Sequence, residues 1–406
     1  MSTPTDDPDW IDAKTARTRL RVKAQTLYAY VSRGWIRSRG VVGSRRREYL
    51  ATDVARVAAR SGARAGHTAV AAGALRFGEP VLDSSITEIA GGSFSYRGHD
   101  APSLANDDVG FEAAAELLWS ATMPTDRVRW PQTRVPPRRL PALGRGARPF
   151  DRMLAALPAL AVADETRDAP DPRVQHDVAR RIVLGLVDAI ADRTSEAPKR
   201  VDTVAARLLV ALGHAPSSRA RAQVDRALTL LADHELNPST FAARVAASTG
   251  ADLYACVTAA LATLSGPHHG AMSRRVDAML REIGRPERVA SVLRDRLAHG
   301  DAVPGFGHRL YPDGDPRASP LLHAARELAP RRAAIALAVV DVMAIVGGEA
   351  PNVDFGLVTL TRALDLPAES AMVIFAVGRC AGWVAHALEQ RQQGHVLRPR
   401  ARYVPP

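Results

Sequence analysis

Four short polar stretches interrupt long apolar runs in this chain, and each carries groups able to bind an anion or move a proton. The stretch from Val303 to Arg317, Val-Pro-Gly-Phe-Gly-His-Arg-Leu-Tyr-Pro-Asp-Gly-Asp-Pro-Arg, holds three glycines and three prolines. Such a composition excludes a continuous helix and predicts a shaped loop. The loop carries His308, which exchanges a proton near neutral pH, and nine residues later Arg317, a planar permanent cation suited to carboxylates. A proton donor beside a guanidinium fork is a place to bind and polarise a small oxo acid.

The other three stretches supply complementary groups. Asp233-His234-Glu235-Leu236-Asn237 forms a polar cluster before Pro238. In Ser265-Gly266-Pro267-His268-His269-Gly270 the glycine and proline end a helix, which predicts His269 at the start of the next one. There a helix dipole favours the neutral imidazole, a good donor to a developing oxyanion. Pro351-Asn352-Val353-Asp354-Phe355 puts a carboxylate just after a proline turn, where it can serve as a base. Taken singly, each histidine also fits a satisfied loop hydrogen bond, and Asp354 also fits a helix cap.

The elements that must position these groups read as helices. Ala, Leu, Val and Arg dominate the 406 residues, aromatics make up 5%, and apolar residues recur at helical spacing, as in Ile182 to Ala191 and Ala333 to Val346. A mainly α protein of two or three domains is expected. Short strands are expected in Val81 to Arg97 around Gly91-Gly92, a helix from about Gly110 to Ala121, an irregular connection over Trp130 to Phe150, and helices over most of Asp151 to Leu264. No apolar run reaches a membrane span and Met1 to Asp9 lacks a secretory pattern, so a cytoplasmic location is expected. Cys256 and Cys380 lie far apart in apolar surroundings and read as core residues, and the usual zinc spacings are missing, so no metal is expected.

The net charge of +11 is concentrated at the N-terminus, where residues 1–66 hold 14 Lys/Arg against six Asp/Glu. The sequence predicts helices over Trp10 to Leu20, Lys23 to Arg33 and, capped by Thr52-Asp53, over Asp53 to Arg60, with a two-stranded wing within Trp35 to Tyr49. Thr26, Leu27, Tyr30, Gly34, Tyr49, Asp53 and Val54 together resemble the winged helix-turn-helix of the MerR and excisionase type. That resemblance implies Lys23, Gln25, Thr26 and Tyr28 at a DNA major groove, with Arg45, Arg46 and Arg47 on phosphates. A solvated basic appendage is the alternative. Ser61 to Pro80, rich in Ala and Gly, reads as a linker.

In order, the polar motifs resemble the citrate synthase family, including 2-methylcitrate synthases. The matching residues are His234 to Asn237, Gly266 to Gly270, Gly305 to His308 with Asp315-Pro316-Arg317, Pro351 to Asp354, Arg379 and Arg398-Pro399, preceded by Tyr96-Arg97-Gly98. The resemblance spans about residues 81–403. It implies an all-α homodimer, with a large domain from 81–269 and 365–406 and a small domain at 270–364 that closes over substrate, behind an N-terminal domain at 1–66 and a linker at 67–80. It implies condensation of acetyl-CoA or propionyl-CoA with oxaloacetate: Asp354 removes a methyl proton, His269 bonds the thioester oxygen, and His308 polarises the acceptor's keto oxygen. His234, Arg317, Arg379 and, from the partner subunit, Arg398 bind the acceptor, and the backbone of Val303, Pro304 and Gly305 receives CoA. CoA is a substrate, so no cofactor is implied. The chain departs from the family at His268, at Ser273 and in Phe355-Gly356-Leu357-Val358, around the thioester. A DNA-binding regulator that uses a synthase-like body as a sensor is the second function the motifs suggest.

Overall fold

A computed structural model describes residues 10–20, 22, 24–32, 35–41, 47–55, 57, 82–107, 109–131, 140–141, 143–144, 146, 147–191, 201–346, 348–399, 401 and 403. The chain divides into two compact units, Met1–Asp83 with Arg398–Pro406, and Ser84–Leu397. In the first, β1 (Trp10–Asp12), α1 (Ala13–Leu20), α2 (Ala24–Ser32), β2 (Ser38–Gly40) and β3 (Arg47–Leu50) surround a core of Ala16, Leu20, Leu27, Ile36, Tyr49, Val54 and Val57. The two-stranded wing expected from sequence is a three-stranded antiparallel sheet of order β1-β3-β2, because Trp10–Asp12, expected to be helical, pairs with Glu48 to Leu50. Asp53 is not a helix cap. It is buried and accepts from the backbone N–H of Arg37 at 3.0 Å and from its Nε at 2.8 Å. The expected linker and Lys23, Arg45 and Arg46 fall outside the described residues, while Gln25, Tyr28 and Arg47 are exposed and Thr26 half-buried.

The second unit opens with an antiparallel sheet of β4 (Thr87–Ala90), β5 (Ser93–Tyr96) and β6 (His99–Asp100). Gly91 and Gly92 both take positive φ, 59° and 76°, as a tight hairpin turn requires. Helices follow: α3 (Ala101–Asn106), α4 (Phe111–Ser120), α5 (Pro149–Val162), α6 (Pro172–Ile190), α7 (Val204–Ala211), α8 (Ser218–Leu231), α9 (Pro238–Ser248), α10 (Leu253–Leu264), α11 (Met272–Ile283), α12 (Val289–Ala298), α13 (Ala318–Leu328), α14 (Pro330–Ile345), α15 (Val353–Ala363) and α16 (Ser370–Gln393). The helical expectation for this part therefore holds, with Phe111–Ser120 within a residue of its expected bounds.

The hub is α16, which packs on α4, α8, α9 and α10. It is long and apolar enough to cross a membrane, contrary to the sequence reading, yet 89% of its apolar window is buried inside the protein. Two glycines on one face, Gly378 and Gly382, let other backbone lie directly against it. A Cβ on Gly378 would stand 3.0 Å from the Leu228 carbonyl, and one on Gly382 would strike the Asp233 side chain. The Gly382 N–H donates to the Ala232 carbonyl at 2.8 Å, so the turn carrying His234 is fastened to α16.

The Val303–Arg317 loop is held equally closely. Gly305 has φ +83°, and a Cβ there would lie 2.7 Å from Val276 Cγ2 and 2.9 Å from Phe355 Cβ. Gly305→Ala is therefore expected to lower unfolding stability by about 1–3 kcal/mol. The comparison is Gly300→Ala, also at positive φ (+75°) but with nothing within 4 Å of the added carbon. Denaturant midpoints of the two variants separate crowding from backbone strain.

Candidate active site

Asn352 joins two of the four polar stretches. Its backbone N–H donates to the Gly305 carbonyl at 2.9 Å and its Nδ2 to the Gly307 carbonyl at 3.1 Å, while its Oδ1 caps α15 by accepting from Asp354 N–H at 3.1 Å. Asp315 adds a second clasp: it accepts from the Val353 N–H at 2.9 Å and grips Arg317 through Nε and Nη2, both at 2.8 Å. One helix start and one loop are thereby fixed together, which places Asp354, His308 and Arg317 on connected backbone. Asp354 is not the cap; Asn352 is.

The imidazoles are kept neutral. Burial pushes His269 down to about 4, helped by the Arg379 charge. The same effect, with Arg317, Arg379 and His308 nearby, pushes His234 well below its ordinary value, and burial with Arg317 lowers His308. His269 lies in the turn before α11, not on its first residues, so burial rather than a helix dipole sets its state. Its Nε2 is 2.9 Å from Ser239 Oγ, which accepts from Trp383 Nε1–H at 3.2 Å. Ser239 gives its one proton to Asn237 Oδ1 at 2.7 Å, so in this arrangement His269 Nε2 carries the ring hydrogen and donates to Ser239. His308 accepts at Nδ1 from the Leu310 N–H at 3.2 Å, so in the neutral ring the proton sits on Nε2, and the Arg317 Nη2 contact there, at 3.4 Å, is not a full bond.

Asp354 behaves in the opposite sense. Burial pushes its carboxyl up to about 7, with Asp315 adding to the rise and Arg317 and Arg379 opposing it. Those two guanidiniums are buried, and each also acts on His234. Arg379 donates from Nε to the Leu231 carbonyl at 2.7 Å, but its Nη2 is buried without a hydrogen-bond partner. A buried guanidinium N–H left open is suited to an anion.

The structure thus gathers His234, His308 and Arg317 in one cluster, with ring centroids of His234 and His308 5.4 Å apart, and ties the helix start bearing Asp354 to it through Asn352 and Asp315. The Arg379 charge acts on Asp354, His234 and His269 alike. Val303, Pro304 and Gly305 are buried, and the carbonyls of Val303 and Gly305 accept from Phe306 N–H and Asn352 N–H. Arg398 is exposed and belongs to the other unit. The sequence assigned no role to Asp315, Ser239, Trp383 or Tyr311; of these, Asp315 carried a readable signal, in the Asp315-Pro316-Arg317 motif.

A buried carboxyl poised near neutrality, neutral imidazole donors and paired guanidiniums on a helical scaffold define an acid/base site for a small carboxylate substrate. Comparison with known proteins narrows this. Residues 76–400 match the family model described as citrate synthase, C-terminal domain. Citrate synthase 2 of Bacillus subtilis is 31% identical over 348 residues, covering 80% of this chain and 93% of that protein. Citrate synthase of Haloferax volcanii is 33% identical over 354 residues, with the same coverages. 2-Methylcitrate synthase 2 of Corynebacterium glutamicum is 31% identical over 339 residues, covering 77% and 88%. Among solved structures, the ternary complex of Thermoplasma acidophilum citrate synthase with carboxymethyl coenzyme A and oxaloacetate superposes with TM-score 0.70 at 28% identity, covering 80% of this chain and 94% of that one. The chain belongs to the citrate synthase family.

Proposed function

We propose that this protein condenses acetyl-CoA or propionyl-CoA with oxaloacetate and water, giving citrate or 2-methylcitrate and free CoA. The observation that carries the reading is the clasp of Asn352 and Asp315 that ties the helix start bearing Asp354 to the loop bearing His308 and Arg317, with His234 5.4 Å from His308 and an open guanidinium N–H on Arg379. Asp354 takes a proton from the carbon next to the thioester, and His269 hydrogen-bonds the thioester oxygen from Nδ1 once Ser239 turns its proton from Asn237 to His269 Nε2, so an enol forms without a free carbanion. Its carbon attacks the keto carbon of oxaloacetate as His308 donates from Nε2 to the keto oxygen. Arg379 Nη2 and Arg317 receive carboxylate oxygens, and His234 lies among the groups that line their side of the acceptor. Water then cleaves the thioester. CoA enters as a substrate and the reaction draws on no further cofactor.

The reading extends to a cytoplasmic homodimer in which Arg398 reaches the partner's acceptor, residues 270–364 close as a small domain, and the backbone of Val303, Pro304 and Gly305 faces CoA. Closure would exclude water before the carbon–carbon bond forms. The direct test is thiol release by the purified protein with oxaloacetate and a panel of acyl-CoAs; acetyl- and propionyl-CoA are expected to release CoA, and a folded protein silent with both would overturn the proposal. For the N-terminal unit, exposed Gln25 and Tyr28 on one helix and Arg47 on a strand support a narrower proposal, contact with DNA. A gel shift with the DNA upstream of its own coding sequence tests it, and loss of binding in a Gln25→Ala, Tyr28→Ala, Arg47→Ala variant is the expected result.

A further inference from the structure

Tyr311 lies inside the Val303–Arg317 loop, and its ring is buried among three groups of the acceptor site. Its Oη is 2.9 Å from His234 Nε2, its ring centroid is 4.9 Å from that of His308, and the Arg317 guanidinium carbon is 5.8 Å from it. Burial raises its phenol well above the ordinary value, so the O–H persists at any working pH. A phenol has one hydrogen to give and lone pairs to accept. The bond to a neutral His234 can therefore run in either direction.

Charge accounting gives this hydroxyl a task. Arg317 gives Nε and Nη2 to Asp315, so part of its fork is already taken, and Arg379 Nη2 is buried with no hydrogen-bond partner. A dicarboxylate presents four oxygens, each able to accept more than one bond, and a neutral donor adds a bond without further charge repulsion between buried cations.

Resting on the proposed condensation, we propose that Tyr311 positions the oxo acid as the terminal donor of a relay, His234 Nε2–H to Tyr311 Oη and Tyr311 O–H to an acceptor carboxylate oxygen. In the empty site the phenol donates to His234 instead. His234 then acts on the acceptor through Tyr311, and the relay works with both groups uncharged.

The test compares Tyr311→Phe and a ring-fluorinated tyrosine at 311 with the wild type, by calorimetric binding of oxaloacetate and by steady-state thiol release. Tyr311→Phe is expected to weaken oxaloacetate binding and raise its KM about 10- to 100-fold, the range for a lost hydrogen bond to a charged group. The KM for acyl-CoA should stay within about twofold, and kcat should fall less than the oxaloacetate KM rises. The fluorinated ring, a stronger donor of nearly the same size, is expected to tighten oxaloacetate binding a few-fold, a response that a packing role would not give. It also keeps the test decisive if Tyr311→Phe does not fold. Unchanged oxaloacetate affinity in both variants overturns the assignment. A wild type that binds oxaloacetate but releases no thiol overturns the condensation and leaves the Tyr311 result readable from binding alone.

Discussion

Asp354→Asn is expected to lower kcat for condensation about a thousandfold, within the span attributed to a general base, while oxaloacetate binding changes less than about threefold. The amide keeps the shape and the Asn352 cap, which uses the Asp354 backbone N–H, and removes only the proton acceptor. In the wild type the acid limb of the rate profile should fall near pH 7, where the buried carboxyl loses its proton; His269, held down at about 4, is already neutral there. Stability supplies an independent check. A carboxyl whose folded value lies above its ordinary 3.8 binds its proton more tightly in the folded state, so folding loses stability as pH rises from about 4 to about 7 and not beyond. The start of α15 favours the anion by about 1 kcal/mol or less. Burial prevails because a rise from 3.8 to about 7 corresponds to something on the order of 4 kcal/mol. The Asn variant should therefore match wild-type thermal stability near pH 4 and exceed it at pH 8. Turnover close to wild type would place the base elsewhere.

Arg317→Met is expected to be the most damaging single change to the fold around the site. Asp315 is fully buried; burial alone would raise its carboxyl, yet Arg317 outweighs that and holds it below the usual range. Taking the guanidinium away leaves a buried, unpaired carboxylate, at a cost of about 3–5 kcal/mol. Because the folded value is depressed, the pair contributes fully above about pH 4 and its contribution fades as pH falls through the folded value. The variant should thus show a lower unfolding midpoint at neutral pH and a smaller further loss on acidification than the wild type. Catalysis should respond in a second way. Arg317 opposes the rise in Asp354 and Asp315 adds to it, so losing the cation moves the acid limb of any residual activity to higher pH. An unaltered limb would mean that the two groups are not electrically connected as described.

Much of this was legible in the sequence, for identifiable reasons. Glycine and proline mark the Val303–Arg317 loop because few other residues tolerate such backbone, and Gly305 at positive φ against Val276 and Phe355 shows why. The helical content followed from apolar spacing. What could not be read was whatever depends on distant partners. Ser239 looked like an ordinary residue at a helix start, and only the tertiary fold brings it to His269 and Trp383. Trp10–Asp12 lies in a stretch that reads as helix, but pairing with Glu48–Leu50 decides its form. His269 was expected to owe its neutral state to a helix end, whereas the surrounding protein supplies it.

The burial of α16 at the centre of the second unit has a consequence for biosynthesis. Ser370–Gln393 is nearly the last segment of that unit to leave the ribosome, so the earlier helices emerge without the strut they are built around. Nascent chains stopped before residue 370 should bind chaperones and be open to protease, and resistance should arise in one step once the full segment is released. A truncation that removes it should yield insoluble protein rather than a smaller working enzyme.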